Sequence, residues 1–237
     1  MSMLTVVQSF CERQNLPVPS TVYGSTDKQV TQIKALLEEE GNDLAVRGGW
    51  QALTLEASHT SVAAESQGTI TSIADDGFRY IVNETIWDRS TRLPIVGPLD
   101  GPEWQALKAL VNTGPRYQFR IRGGLLIVNP TPVAGESWYF EYVTENWITD
   151  ATGTTGKTRF TADADLIRLP ESLVLMGLRW RWLREKGMDY AELFRTYEMQ
   201  VKDALGRDGG KPRLSMDSDP HRGPQPGVWV SPGSWNV

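Results

Sequence analysis

Residues 169–210 read LPESLVLMGLRWRWLREKGMDYAELFRTYEMQVKDALGRDGG and predict two consecutive helices. Gly187 ends the first of them, because glycine accepts the backbone conformation that follows a helix C-terminus. Asp189 and Glu192 form a capping-box pattern at the start of the second, which we expect to end at Gly206. This helix pair organises the rest of the chain.

The first helix of the pair is apolar on two sides. One stripe at helical spacing consists of Leu169, Leu173, Met176, Trp180 and Leu183, and a second consists of Leu175, Leu178 and Trp182. One neighbouring element cannot cover both stripes. We therefore expect the first stripe to close the core of a helical bundle and the second to form a subunit interface. The alternative is that the second stripe also lies inside the chain, covered by another of its own elements.

The second helix of the pair is ordinarily amphipathic. Its apolar residues share one side, which we expect to face the interior: Tyr190, Leu193, Phe194, Tyr197, Val201 and Ala204.

Residues 1–48 predict two further helices, so that a helix pair stands at each end of the chain. The first covers residues 4–11, and the second is capped by Thr26 and ends before Gly41. The acidic triplet at residues 38–40 is typical of a solvated helix face.

Residues 49–165 change to the alternating pattern of strands. The predicted strands are 50–57, 68–73, 78–83, 116–122, 125–129 and 137–143. Asp76-Gly77 and Gly123-Gly124 lie where hairpin turns are needed, and residues 102–110 predict one short helix. The fold class is therefore α+β: a four-helix bundle formed by residues 1–48 and 166–208, with an inserted, mainly antiparallel β domain.

Residues 209–237 form an extended tail. Five prolines forbid a helix there, yet Val228, Trp229, Val230 and Trp235 are typical of contact residues. Ordering such a segment costs about 1–2 kcal/mol of backbone entropy per residue. The tail is therefore expected to bind a partner chain, or else to be disordered in the isolated protein.

Composition excludes several classes of function. The chain has 237 residues and a formal net charge of -5, which argues against general attraction to nucleic acid. Cys11 is its single cysteine, and His59 and His221 are its two histidines, so it has no intrachain disulfide and no zinc site built from Cys and His alone. No apolar run reaches membrane-spanning length and no signal peptide is recognisable, so synthesis in the cytoplasm is expected.

No sequence pattern supports catalysis or a cofactor. Residues 151–158, ATGTTGKT, fit a relaxed phosphate-loop pattern, but no helical pattern begins at Lys157, as that chemistry requires. The acidic pairs Asp75-Asp76 and Asp163 with Asp165 are typical of turn and helix caps. We therefore expect neither an enzyme nor a cofactor.

The order of several segments resembles a known family. They are TIWDR (85–89), LPIVGPLDGPEWQALK (93–108), YQFRIRGGLLIVNP (117–130), FTADADLIRLPESL (160–173), GLRWRWLREKGMDYAE (177–192) and GRDGGKPRLSM (206–216). Together they resemble the head-to-tail adaptor proteins of tailed bacteriophages, especially short-tailed ones. The resemblance covers most of residues 1–215.

The resemblance implies a structural protein of the virion at the head–tail junction. Twelve copies would form a ring beneath the dodecameric portal protein, with the C-terminal extension docked into the portal and a tail or nozzle protein below. DNA would pass through the lumen without sequence-specific binding. The cationic residues Arg179, Arg181, Arg184 and Lys186 are then either a solvated helix edge or a contact to DNA or portal.

The alternative is a phage tail or baseplate binding module. In that hypothesis the β region binds another tail protein or a surface glycan, and exposed tryptophans such as Trp138 and Trp147 stack on the ligand.

Overall fold

The computed structural model describes residues 1–109 and 116–209 and has an α+β fold. The described residues contain six α-helices: α1 Met3–Arg13, α2 Lys28–Val46, α3 Ile70–Ile73, α4 Gly101–Ala109, α5 Glu171–Glu185 and α6 Ala191–Asp208. A short 3-10 helix, Gln51–Leu53, follows α2. The predicted order of helices, β region and helices is confirmed.

The strands lie between α2 and α5. They are β1 Thr54–Thr60, β2 Ser66–Thr69, β3 Phe78–Ile81, β4 Trp87–Asp88, β5 Leu93–Pro94, β6 Gln118–Arg122, β7 Leu125–Asn129, β8 Ser137–Thr144, β9 Ile148–Thr149, β10 Gly156–Lys157 and β11 Leu166–Ile167. They form three antiparallel sheets with the orders β1-β8-β4-β5, β2-β7-β6 and β10-β9-β11. β8 is the central strand of the largest sheet, because β1 pairs with one edge and β3 and β4 with the other.

Of the two predicted hairpin turns in the β region, one connects paired strands and the other does not. Gly123 and Gly124 have φ of +58° and +74° and connect β6 to β7 in register, so the predicted tight hairpin is confirmed. Gly77 also has a positive φ, of +76°, but β3 after it pairs with β8 rather than with β2. The expected strand 68–73 is wrong in its second half, where the chain turns into α3.

Helix α2 is longer than the sequence pattern predicts. Its N-cap is Asp27, whose carboxylate accepts the backbone N–H of Gln29 at 2.8 Å, and not Thr26. The helix continues through Gly41 because the ring of Trp147 packs against that position. A Cβ atom there would lie 2.2 Å from the ring. Gly41 therefore serves close packing and does not end the helix.

Helix α6 also continues past its predicted end. It runs through Gly206 to Asp208, and Gly209 is the residue that caps it. At its start the side chain of Asp189 accepts the backbone N–H of Ala191 at 3.1 Å.

Two hydrophobic clusters form the core. The first joins buried residues of α1, α2, α5 and α6 with residues of the β region such as Trp147, Ile148 and Phe160. The second lies within the β region and includes Phe119 and Trp138. The inserted region therefore has a core of its own and also completes the helical one.

Helix α5 lies between α1 and α6. Trp182 contacts Phe10 of α1, with ring centroids 5.8 Å apart, whereas Trp180 contacts Phe194 of α6 at 5.0 Å. Residues two apart on a helix point about 200° from each other. The two tryptophans thus place α1 and α6 on opposite sides of α5. Of the helices in the described part of the chain, none combines the length and apolarity needed to cross a bilayer.

Candidate interface on helix α6

The inner side of α6 is joined to α2 and α5 through one buried carboxylate. Glu40 of α2 has no exposed surface. Nε of Arg181 on α5 donates to Glu40 Oε2 at 2.7 Å, and the hydroxyl of Tyr197 on α6 donates to Glu40 Oε1. The prediction of a solvated face at residues 38–40 is therefore wrong for Glu40, because three helices meet at its side chain.

Further ion pairs surround this carboxylate. Arg181 also pairs with Asp43, at 2.8 Å, and with Glu39. Asp43 in turn lies 2.9 Å from Arg47, which also pairs with Glu198 of α6. We call these residues, together with Glu40 and Tyr197, the ionic cluster.

The environment of the ionic cluster changes how its members titrate. Burial raises the pKa of Glu40, although hydrogen bonds from Tyr197 and Arg181 oppose the change. Burial and the neighbouring Glu40 carboxylate raise the pKa of Tyr197. For Arg47, burial lowers the pKa, but hydrogen bonds to Glu198 and Asp43 outweigh it and the net pKa is raised. Tyr197 thus stays a neutral donor and Arg47 stays charged, which keeps α6 attached to α2.

Gly177 of α5 leaves room for this arrangement. A Cβ atom at that position would lie 1.9 Å from Glu40 Oε1. Since Glu40 is held by hydrogen bonds from two helices, its carboxylate cannot move aside freely.

Several apolar side chains of α6 and of the residues before it are exposed, and we call the surface that they share with exposed charged residues the outer side of α6. The rings of Tyr190 and Phe194 contact the ring of Trp180, at centroid distances of 6.2 and 5.0 Å, and the two residues are 38% and 36% exposed. Met188 before the helix and Met199 within it are exposed too, Met199 by 62%. The expectation that the apolar residues of α6 face inward is confirmed for the buried Tyr197 and Val201, whereas Tyr190 and Phe194 contact the buried Trp180 but stay partly exposed.

A groove of about 580 Å³ runs along α6 and borders the ionic cluster at Arg47 and Glu198. Its apolar lining consists of Phe194, Met199, Val201 and Leu205, and its charged lining consists of Arg47, Arg195, Glu198 and Lys202. We call it the α6 groove. Its volume lies within the range of about 300–1,000 Å³ that is typical of binding pockets.

The stripe predicted to form a subunit interface lies elsewhere. Leu175, Leu178 and Trp182 are at most 5% exposed and belong to the helical core. Their assignment to a contact with another subunit is wrong, because α1 packs on that side of α5 and Phe10 meets Trp182. The unexplained apolar surface of the helix pair is on α6.

The cationic residues of α5 divide into two groups. Arg181 is buried in the ionic cluster, so its assignment as a contact to DNA or portal is wrong. Arg179, Arg184 and Lys186 are exposed. Arg184 lies 3.1 Å from Glu185, and Lys186 donates to Gln32 at 3.0 Å. For these three the role of contact residue stays a prediction.

The predicted docking residues of the tail, Val228, Trp229, Val230 and Trp235, lie outside the described residues.

The tryptophans of the alternative hypothesis are unsuited to glycan stacking. Trp138 is 1% exposed within the β core, and Trp147 has no exposed surface in the helical core. The expectation that they are exposed stacking platforms is wrong, since each ring fills the interior of its cluster.

The candidate chemical groups have structural roles in the described part of the chain. Lys157 lies in β10 and pairs with Asp165 at 2.7 Å, so no helix begins at this lysine. Asp163 accepts the backbone N–H groups of Val22 and Tyr23, at 2.9 and 2.7 Å. Among the described residues, no group of three or more His, Cys, Asp or Glu side chains could hold a metal ion.

His59 lies in β1 and shares a hydrogen bond of 3.3 Å with Gln67. Burial lowers the pKa of His59, although that hydrogen bond opposes the change.

The exposure of Tyr190 and Phe194 had no signal in the sequence. At 100° per residue, Tyr190, Phe194 and Tyr197 lie within about 60° of one another on the helix, so the pattern predicts one shared face and does not show that Tyr190 and Phe194 are exposed. The ionic cluster had no signal in the sequence either, since Glu40 and Arg181 are 141 positions apart. Compared with models of known protein families and with curated protein sequences, the chain has no match.

Proposed function

We propose that the protein is a structural subunit of a phage virion, a head-to-tail adaptor. Twelve copies form a ring beneath the portal protein, extend the DNA channel and provide the platform to which a tail or nozzle protein attaches. The ordered segments from TIWDR at 85–89 to GRDGGKPRLSM at 206–216 support this proposal through their resemblance to the adaptor family.

The observation that carries the proposal is the exposed apolar side of α6. Subunits of a ring meet through heterologous contacts, in which one surface of a copy meets a different surface of the next. An exposed apolar surface rimmed by polar residues is typical of a protein–protein contact. The α6 groove, with Arg195 and Lys202 beside Phe194 and Met199, has this composition. We assign it to the contact with the neighbouring subunit.

The rest of the fold supports a rigid ring subunit. In this proposal α1, α2, α5 and α6 act as a four-helix bundle, and the ionic cluster holds α6 so that its outer side keeps one orientation. The tail residues Val228, Trp229, Val230 and Trp235 dock into the portal. The net charge of -5 suits a conduit, because a strongly basic lumen would retain DNA.

A pair of substitutions tests the assignment. The double variant Phe194→Glu, Met199→Glu places two charges in the α6 groove while the side chains of the ionic cluster are unchanged. Mixed with the portal protein of the same phage, the native chain is expected to give a ring complex by native mass spectrometry, and the double variant is not. The control is Val133→Glu, at a position that is 66% exposed between β7 and β8. Normal ring formation by the double variant would contradict the proposal.

A further inference from the structure

We propose that the α6 groove of one copy of this chain docks against the solvent-facing side of the largest β-sheet of a second copy. The docking site on the sheet is a groove of about 320 Å³, which we call the sheet groove. Its charged lining is Glu56, Glu84, Arg89 and Glu141, and its remaining lining includes the partly exposed rings of Trp87 and Tyr139. This inference rests on the proposed function, because it names the surface of the neighbouring subunit that the α6 groove contacts.

The strand register brings the groups of the sheet groove to one side of the sheet. Glu56 of β1 lies directly opposite Glu141 of β8, and Trp87 of β4 lies opposite Tyr139 of β8. Residues two apart on a strand share a face, so the two pairs lie side by side. Like charges directly opposite each other destabilise an antiparallel pair of strands. A cationic partner therefore relieves a repulsion that the single copy contains.

One cation of the chain itself already lies in the sheet groove. The guanidinium of Arg89 lies 3.5 Å from the ring centroid of Tyr139 and pairs with Glu56. It thus combines an aromatic ring with a carboxylate, the two groups that attract a cation most strongly at a protein surface. The exposed Glu84 and Glu141 form no ion pair among the described residues. They are acceptors for two further cations.

The charges of the α6 groove are opposite to those of the sheet groove. Its charged lining is made of three cations and the carboxylate of Glu198, and one of those cations, Arg47, pairs with Glu198. The other two, Arg195 and Lys202, are exposed and form no ion pair within the part of the chain that the structure describes. Two cations without an ion pair in one groove therefore match two such carboxylates in the other.

The apolar groups of the two grooves also suit each other. The thioether of Met199 can contact the ring of Trp87 or Tyr139, an arrangement that is favourable for sulfur and aromatic rings. Tryptophan and tyrosine are also among the residues that contribute most to binding at protein interfaces. The two grooves are different surfaces of the same chain, so the contact is heterologous and can repeat from copy to copy. A second copy is therefore the occupant that the charges and the ring arrangement favour.

Charge reversal on each side tests the inference. The first variant carries Arg195→Glu and Lys202→Glu, and the second carries Glu84→Lys and Glu141→Lys. Either variant alone brings like charges together, so we expect neither to form a ring on the portal. In an equimolar mixture every contact joins opposite charges when the two variants alternate. We therefore expect the mixture to restore a ring with equal numbers of both variants, measured by native mass spectrometry. Such a rescue cannot come from misfolding or from net charge, because the same two chains fail alone.

Cross-linking of the native chain measures the contact without the portal. Carbodiimide joins a lysine amine to a carboxylate that it touches. In a concentrated mixture of isotopically light and heavy chains, we expect Lys202 of one chain to be linked to Glu84 or Glu141 of another.

The two measurements separate the inference from the proposed function. Normal rings on the portal from both charge-reversed variants would overturn the inference and keep the proposed function. The expected cross-link between free chains, without any ring of the native chain on the portal, would contradict the proposed function and keep the contact. Absence of the cross-link together with absence of rescue in the mixture would overturn the inference.

Discussion

Arg181 of α5 and Glu40 of α2 are joined by a hydrogen bond of 2.7 Å between two charged groups, and neither side chain is more than 5% exposed. Tyr197 of α6 donates to the same carboxylate. A buried charge that loses its partner is costly, since no water replaces the lost contact. The hydrogen bonds to Glu40 hold α6 in place, and the outer side of α6 is the surface that we assign to the contact between ring subunits.

Replacing Arg181 is therefore expected to destabilise the fold strongly. Arg181→Ala leaves the carboxylate of Glu40 uncompensated and should lower the free energy of unfolding by about 3–5 kcal/mol in urea titrations. The control is Arg184→Ala on the same helix, where the side chain is 37% exposed and the expected change is under about 0.5 kcal/mol. Equal effects of the two substitutions would show that Arg181 has no special structural role.

Two glycines in helices give a second matched pair. Gly177→Ala places a methyl group against the carboxylate of Glu40 and should lower the free energy of unfolding by about 1–3 kcal/mol, as overpacking does. Gly206→Ala in α6 meets no atom within 4 Å and should raise it by up to about 1 kcal/mol through helix propensity. Thermal unfolding of both variants measures the contrast. A stabilised Gly177→Ala protein would contradict the close contact between α5 and Glu40.

The features that depend on neighbouring residues could be predicted from the sequence. The hairpin at Gly123-Gly124 follows from two adjacent glycines between alternating strands. Helix α1 follows from apolar spacing, which also places its Cys11 on the buried side of the helix.

Features that depend on distant contacts could not be predicted. Glu40 lies in an acidic triplet and Arg181 in a cationic run, so each resembles a solvated residue until α2 and α5 come together. Likewise Gly41 resembles a helix end until Trp147, more than a hundred residues later, packs on it. The inner or outer position of the stripe at Leu175 and Leu178 depended on where α1 packs.

Because Glu136 is buried, we expect the free energy of unfolding to depend on pH. Its Oε1 accepts the hydroxyl of Tyr117 at 3.1 Å, whereas its buried Oε2 has no hydrogen-bond partner among the described residues. Burial raises the pKa of Glu136, and the nearby Asp88 raises it further, while the hydrogen bond from Tyr117 opposes the change. The contribution of protonated Glu136 to the free energy of unfolding is therefore fully present below about pH 4.3, the ordinary pKa of a glutamate side chain. It is lost as the pH rises through the raised pKa.

The substitution Glu136→Gln removes this dependence while keeping the shape of the side chain. We expect the variant to gain stability relative to the native protein as the pH rises from 4 to 8, measured as the difference in free energy of unfolding in urea. The same substitution at the exposed Glu141 serves as the control and should change stability by under about 0.5 kcal/mol at either pH. A constant difference between Glu136→Gln and native protein across this range would contradict the raised pKa.

The central claim is that the outer side of α6 is the contact between neighbouring subunits of a ring on the portal. A cryo-EM reconstruction of the full-length protein bound to the portal protein of the same phage tests it most directly. The account predicts a ring of twelve copies in which Phe194 and Met199 of each subunit are buried against the next. A bound protein without ring symmetry, or a ring in which the α6 groove faces solvent, would contradict it.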